Sequence, residues 1–300
     1  MQIPFTLTMR HRALALSLLI SIVSGGTADA ATLSQKQART LVSRMAGAHF
    51  PSDAVRVKKI TDTGANAQAT VEIETAFRVL QDKRGRWQIV EIRTGQEQWE
   101  EIALIAEAAK FQIPGDDCKG QDRAGADLSP RNARCLIASL LKTDPRSDAV
   151  RIRDISSFGL PLASQASALV IALIQVEVRF SRDNGGWRAS DLRTGDNDWV
   201  NLDLLVAGIN EGKRTQAEAE LARLAKALED YRKQSGFYIV SDKHPVLIDH
   251  LSPRYLARII RLDPWHHPYQ YQGDRDHFVL RSKGPDGKEN TADDIVLNGP

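Results

Sequence analysis

The chain has little of what usually announces a function. Two cysteines, Cys118 and Cys135, leave room for one disulfide at most. Lysine and arginine are scattered, and the net charge is only +2. That excludes the basic face a nucleic-acid binder needs. No Ser-His-Asp, Cys-His, zinc-ligand or phosphate-loop pattern occurs in the first two thirds, so nothing there argues for catalysis. The long apolar run is confined to residues 13–23, about half of what spans a bilayer.

That run has the anatomy of a secretion signal. Arg10 and Arg12 precede it, and Gly25-Gly26 leads to Ala28-Asp29-Ala30, a small-x-small cleavage site. Residues 1–30 are therefore expected to be removed, leaving a periplasmic or secreted protein with no membrane span. In an oxidising compartment Cys118 and Cys135 either pair, worth about 3 kcal/mol, or remain two thiols with Cys135 in a buried helix.

What is present is a pattern used twice. Ser52-Asp53-Ala54-Val55-Arg56-Val57 returns as Ser147-Asp148-Ala149-Val150-Arg151-Ile152. Trp87, Ile92-Arg93-Thr94-Gly95 and Trp99 return as Trp187, Leu192-Arg193-Thr194-Gly195 and Trp199. The second copy is longer by about five residues, placed near 158–167. Each copy reads as helix, strands, helix. Ser34 with Gln37 forms a capping-box pattern, and Ser129-Pro130 a cap followed by proline at the first helical position. Val55-x-Val57, Val71-x-Ile73 and Trp87-x-Ile89 alternate as strands, with turns at 82–86 and 183–186. After Thr94-Gly95 and Thr194-Gly195, Trp99, Ile102, Ile105 and Trp199, Leu202, Leu205 take helical spacing. The threonines are expected as helix caps. Arg93 and Arg193 beside their glycines could hold an anion at a helix start, but a turn, a cap and a tryptophan anchor account for the same residues.

The last part differs. Ala217, Leu221, Leu224, Leu228 and Tyr231 form an apolar stripe on a helix beginning after Asn210-Glu211-Gly212-Lys213. Leu247, Ile248 and Leu251 suggest a short helix, and 269–271 and 277–280 suggest paired strands with Asp274 and Asp276 in the turn. Asp286, Asp293 and Asp294 crowd a glycine-proline loop near the end, an arrangement suited to a hard divalent cation, with Ca2+ the obvious choice. The spacing is not that of an EF-hand. A zinc site from His266 and His267 with His244 or His277 is the lesser reading.

The set Tyr231, Gly236-x-Tyr238, Asp263-Pro264-Trp265, Pro268-Tyr269-x-Tyr271, Ser282-x-Gly284-x-Asp286-Gly287 and Asp293-Asp294-Ile295 resembles the globular domain of the type II secretion major pseudopilin. The resemblance implies a structural calcium ion held by Asp286, Asp293 and Asp294, with backbone carbonyls at Lys283 and Val296. A pseudopilin opens with a glycine-ending leader, then phenylalanine and an apolar helix with glutamate at its fifth position. Here Met9 takes that fifth place and Arg10-His11-Arg12 break the run, so assembly into a pseudopilus is not expected.

The fold class is α+β: two copies of a helix plus small antiparallel sheet domain, then a pseudopilin-like head with a long helix and short antiparallel strands. The expected boundaries are repeat 1 at 31–112, a linker at 113–127, repeat 2 at 128–212 and the head at 213–300. The expected role is a non-enzymatic envelope binding or scaffold protein with a protein partner, the secretion machinery among the candidates. No nucleic acid is expected, and the oligomeric state stays open. The alternative is a small-molecule binder or enzyme using a cleft in the repeated domains.

Overall fold

Two strands longer than their alternation suggested organise the protein. The computed structural model describes residues 32–115, 118, 127–158, 166–183 and 186–300, of which Leu33–Pro300 is one compact unit. The expected signal at 1–30, part of the linker, and most of the extra residues near 158–167 lie outside the described residues.

The first half runs α1 (Gln35–Val42), β1 (Val55–Asp62), β2 (Asn66–Gln81), β3 (Trp87–Arg93), β4 (Trp99–Glu101) and α2 (Ile102–Ala109). The second follows the same order with α3 (Pro130–Leu140), β5 (Val150–Phe158), β6 (Ser167–Asp183), β7 (Gly186–Arg193), β8 (Val200–Asn201) and α4 (Leu202–Ser235). The head adds α5 (His244–Leu251), β9 (Gln270–Gly273), β10 (Phe278–Ser282) and β11 (Ile295–Gly299). This is an α+β protein.

The two small sheets expected from the sequence are one sheet. Its order is β4-β3-β2-β6-β7-β8, with β1 also on β2 and β5 also on β6. β2 and β6 pair antiparallel from Asn66 opposite Ser181 to Leu80 opposite Ser167, with Ile73 facing Ile174 at the middle. Val55 pairs with Ile73 as Val150 pairs with Ile174, and a bulge follows Val57 and Ile152 alike. Further bulges follow Arg78 and Arg179. The ladder is thus symmetric about the Ile73–Ile174 pair. Joining the halves removes two long free edges, each a template for unwanted pairing. It also merges their apolar faces: Val71, Ile73 and Phe77 of β2 share one core with Val170, Ile174 and Val176 of β6. The opposite face is mixed, with Leu169, Ile171 and Leu173 of β6 beside a cluster of charges. Glu72 there meets Arg151 at 2.6 Å and Lys58 at 3.0 Å.

Helix starts follow the expected chemistry at α1, where Ser34 and Gln37 form the reciprocal capping box, and at α3, where Ser129 accepts from the Asn132 N–H. They differ at α2 and α4. Trp99 opens β4 opposite Arg93, and the threonines cap nothing; the cap of α4 is Asn201, whose side chain accepts from the Leu204 N–H. Trp99 lies on β4 and Trp199 just ahead of β8, and each is stacked by an arginine. Arg78 lies 4.1 Å from the Trp99 ring and Arg179 3.9 Å from that of Trp199.

The expected break at Asn210–Lys213 is also absent, and α4 runs through it for 34 residues. Its glycines serve packing. A Cβ on Gly208 would lie 2.8 Å from the Ala108 Cβ, and one on Gly212 2.7 Å from a Leu104 methyl. The two helices therefore approach closely where α2 ends. Farther along, Leu221, Leu224 and Leu228 bury against Tyr238, Leu247, Tyr269 and Phe278 of the head, each leucine worth about 1.5–3 kcal/mol. Gly236 ends the helix at φ 79°, a conformation glycine adopts without a side-chain penalty. Cys118 and Cys135 are joined in a disulfide, 17 residues apart. Among the described residues no helix is long and apolar enough to cross a membrane.

Candidate functional site

The carboxylates singled out in the sequence lie in the loop joining β10 to β11. These strands pair in register, Ser282 opposite Ile295 and Arg281 opposite Val296, so Lys283 and Val296 flank the loop at its base. Left-handed residues bend it tightly: Gly284 at φ 60°, Gly287 at 66° and Asn290 at 63°. A Cβ on Gly284 would stand 2.4 Å from the Asp293 carbonyl oxygen. Only glycine lets the two sides of the loop meet there.

Thr291, which the sequence reading passed over, gathers the acids. Its hydroxyl stands 3.4 Å from Asp286 Oδ1 and 3.3 Å from Asp294 Oδ1. The Thr291 hydroxyl and the Asp286 N–H, 3.1 Å from Asp293 Oδ2, hold the Asp293 carboxyl below its ordinary range. Asp294 is nearly enclosed. Its Oδ2 accepts from the Asn290 N–H at 2.9 Å and lies 3.4 Å from Arg281 Nη1. Asp286 is exposed, and the Lys283 ammonium is turned to Glu289 at 2.9 Å. The donors are all oxygen, the kind that hard cations take. As they stand, no three acid, histidine or cysteine side chains among the described residues form a group able to hold a metal ion.

The loop is tied to the core by the Asp263-Pro264-Trp265 turn. Asp263 is buried, and its Oδ1 accepts from the Trp265 and His267 N–H groups at 3.0 and 2.8 Å. The Ser282 hydroxyl donates to Asp263 Oδ2 at 2.6 Å and accepts from the Gly284 N–H at 3.2 Å. His267 Nδ1 is 3.1 Å from the Gly284 carbonyl, so that nitrogen carries the proton. The ring also fills the space a side chain at 287 would need, 2.8 Å from a Cβ there. The paired tyrosines anchor the other side. The Tyr269 hydroxyl donates to Glu220 of α4 at 2.8 Å, and that of Tyr271 to the Ile239 carbonyl at 2.6 Å.

Residues 205–298 match the family model for the type II secretion system (T2SS), protein G. The match takes in nearly all of α4, whose first turns, with Leu202 and Leu205, pack in the core of the sheet region and whose later turns, from Ala217, pack in that of the head. No curated protein and no solved structure matches the chain.

The other sequence candidates go elsewhere in this arrangement. His266 Nε2 lies 3.5 Å from the Trp99 carbonyl, and His277 pairs with Asp274 at 3.6 Å. His244 is buried beside Tyr269. Each imidazole thus has a different neighbour. Asp274 makes the turn before β10, accepting from the Asp276 and His277 N–H groups at 2.7 Å. Arg193 is neutralised by Glu177 and stacked 4.7 Å from the Trp199 ring, which accounts for it without an anion. The tie from Asp263 through Ser282 to Gly284 was within reach of sequence only as separate motifs; nothing in their spacing said that they touch.

Proposed function

We propose that the chain is a non-enzymatic envelope protein that presents its protein G-like head to a type II secretion machinery. The carrying observation is the family match over residues 205–298. The disulfide suits the oxidising compartment this reading requires. The sheet region serves as scaffold. It takes the first turns of α4 against α2 at Gly208 and Gly212, so that side of the head's helix is occupied and does not serve as a fibre-forming surface.

The head also holds a structural Ca2+ in this proposal, through the side chains of Asp286, Asp293 and Asp294 and the carbonyls of Lys283 and Val296. Calcium takes six to eight oxygens in flexible geometry. The ion would draw the exposed Asp286 inward and offset the repulsion among three carboxylates on one short loop.

Calcium at a hundred times its dissociation constant is expected to add about 2.7 kcal/mol, read as a higher melting temperature that chelator reverses and Asp293→Ala removes. An unchanged melting temperature takes the ion out of the proposal. The partner is tested separately by photo-crosslinking in cells from the exposed head residue Val240. Secretion-machinery subunits should be enriched in the adducts, and adducts without them would refute the partner.

A further inference from the structure

Between the apolar face of the large sheet and helices α2 and α4 lies a cavity of about 520 Å³, within the range of small-molecule sites. Its walls come from both halves: Ile73 and Ile174 at the centre of the ladder, and Ile105 and Leu205 from the two helices. Glu100 and Lys213 line it as well, as an ion pair among further polar lining residues such as Arg193 and Asn210. Lys213 is 6% exposed, and its Nζ stands 2.6 Å from Glu100 Oε1. Glu100 Oε2 is buried and, among the described residues, has no hydrogen-bond partner.

We propose that this cavity binds a single-chain aliphatic molecule with a neutral head that both donates and accepts a hydrogen bond, a fatty alcohol or primary fatty amide. The apolar walls suit the chain. A hydroxyl or amide could give a hydrogen to Glu100 Oε2 and accept one from the ammonium, which has three donors. The head is neutral because the Lys213–Glu100 pair is already balanced. A charged head would bring an unmatched charge out of water beside a pair that is already balanced, and Arg193, which also lines the cavity, is held by Glu177. This inference does not rest on the secretion reading, and each can fail alone.

The test is calorimetric titration of the full chain with decanol, decanamide and decanoate below their aggregation limits. Decanol and decanamide are expected to bind one-to-one and decanoate at least about tenfold more weakly, a difference of about 1.4 kcal/mol. Glu100→Gln, which removes the charge from the acceptor, should weaken decanol about tenfold. Val206→Trp, which fills the cavity from α4, should abolish binding. Absence of decanol binding overturns the site, as does equal binding by the Val206→Trp variant. Decanoate binding as tightly as decanol, or decanol binding unchanged in Glu100→Gln, overturns the assignment of the head to the Lys213–Glu100 pair. The wild-type ligand series decides the matter even if a variant fails to fold.

Discussion

Helices α2 and α4 begin alike and end differently. Each follows an Arg-Thr-Gly turn and a short strand carrying or following a tryptophan, and each starts with a buried aliphatic, Ile102 or Leu202. α2 stops after eight residues, with Lys110 in the left-handed region at φ 56°. α4 continues to Ser235 and becomes the backbone of the head. One helix closes a sheet; its counterpart closes the sheet and carries a second core. The regions it joins hold together by different means. The sheet region relies on strand ladders and one broad apolar core. The head relies on a small core and on buried polar contacts around Asp263, Tyr269 and Tyr271.

Acid should separate the two regions most. His244 is buried in the head, and burial, with Arg261 nearby adding to it, pushes its pKa down to about 4. In the unfolded chain the ring titrates near 6.5. Between those values the unfolded state binds a proton that the folded state refuses. Stability from this group is therefore complete above about pH 6.5 and declines as pH falls toward 4. The slope is about 1.4 kcal/mol per pH unit, about 3 kcal/mol in all. Melting followed from about pH 7 to 4.5 should show this loss, and His244→Phe should flatten the slope. Equal slopes in both proteins would mean that the ring does not stay neutral when buried.

The twin turns make a second comparison. A Cβ on Gly195 would meet the Lys142 carbonyl oxygen at 2.3 Å, and its φ is 46°. On Gly95 the close neighbour is only the Gln98 side chain, with Oε1 at 2.7 Å. Backbone cannot yield there, whereas a glutamine can swing aside. Gly195→Ala is expected to cost about 2–3 kcal/mol and Gly95→Ala under about 1 kcal/mol, measured by denaturant midpoint. Equal costs would show that the turns are packed alike after all.

Local signals were legible in the sequence wherever a residue acts on its neighbours. The Ser34–Gln37 capping box, the Ser129-Pro130 start, the turns at Asp82 and Asp274 and the short head strands all stand where local chemistry put them. The acidic loop was legible as a cluster, but its organiser Thr291 was not, because threonine has no signature at that spacing. What escaped depends on distant partners. The β2–β6 ladder joins residues about a hundred positions apart, and alternation shows that a strand buries one face without naming its neighbour. The tryptophans suggested helices because their stacking arginines come from other strands.

The unbroken course of α4 was missed for a related reason, and it leaves a sharp test. A glycine inside a helix costs about 1 kcal/mol relative to alanine, so Asn210-Glu211-Gly212-Lys213 looked like a boundary. The cost is accepted because α2 sits too close for side chains, but the two contacts are unequal. At 208 a Cβ would meet Ala108 at its Cβ, 2.8 Å away, and at its Cα, 3.0 Å away. At 212 it would meet only the tip of Leu104, a side chain able to rotate. Gly208→Ala should therefore lose about 1 kcal/mol or more, overpacking outweighing the helix gain. Gly212→Ala should be neutral or gain up to about 1 kcal/mol. If alanine destabilises equally at both, Leu104 is fixed and the helices are locked along the whole contact; if it stabilises at both, the close approach at Ala108 is not what keeps glycine in α4.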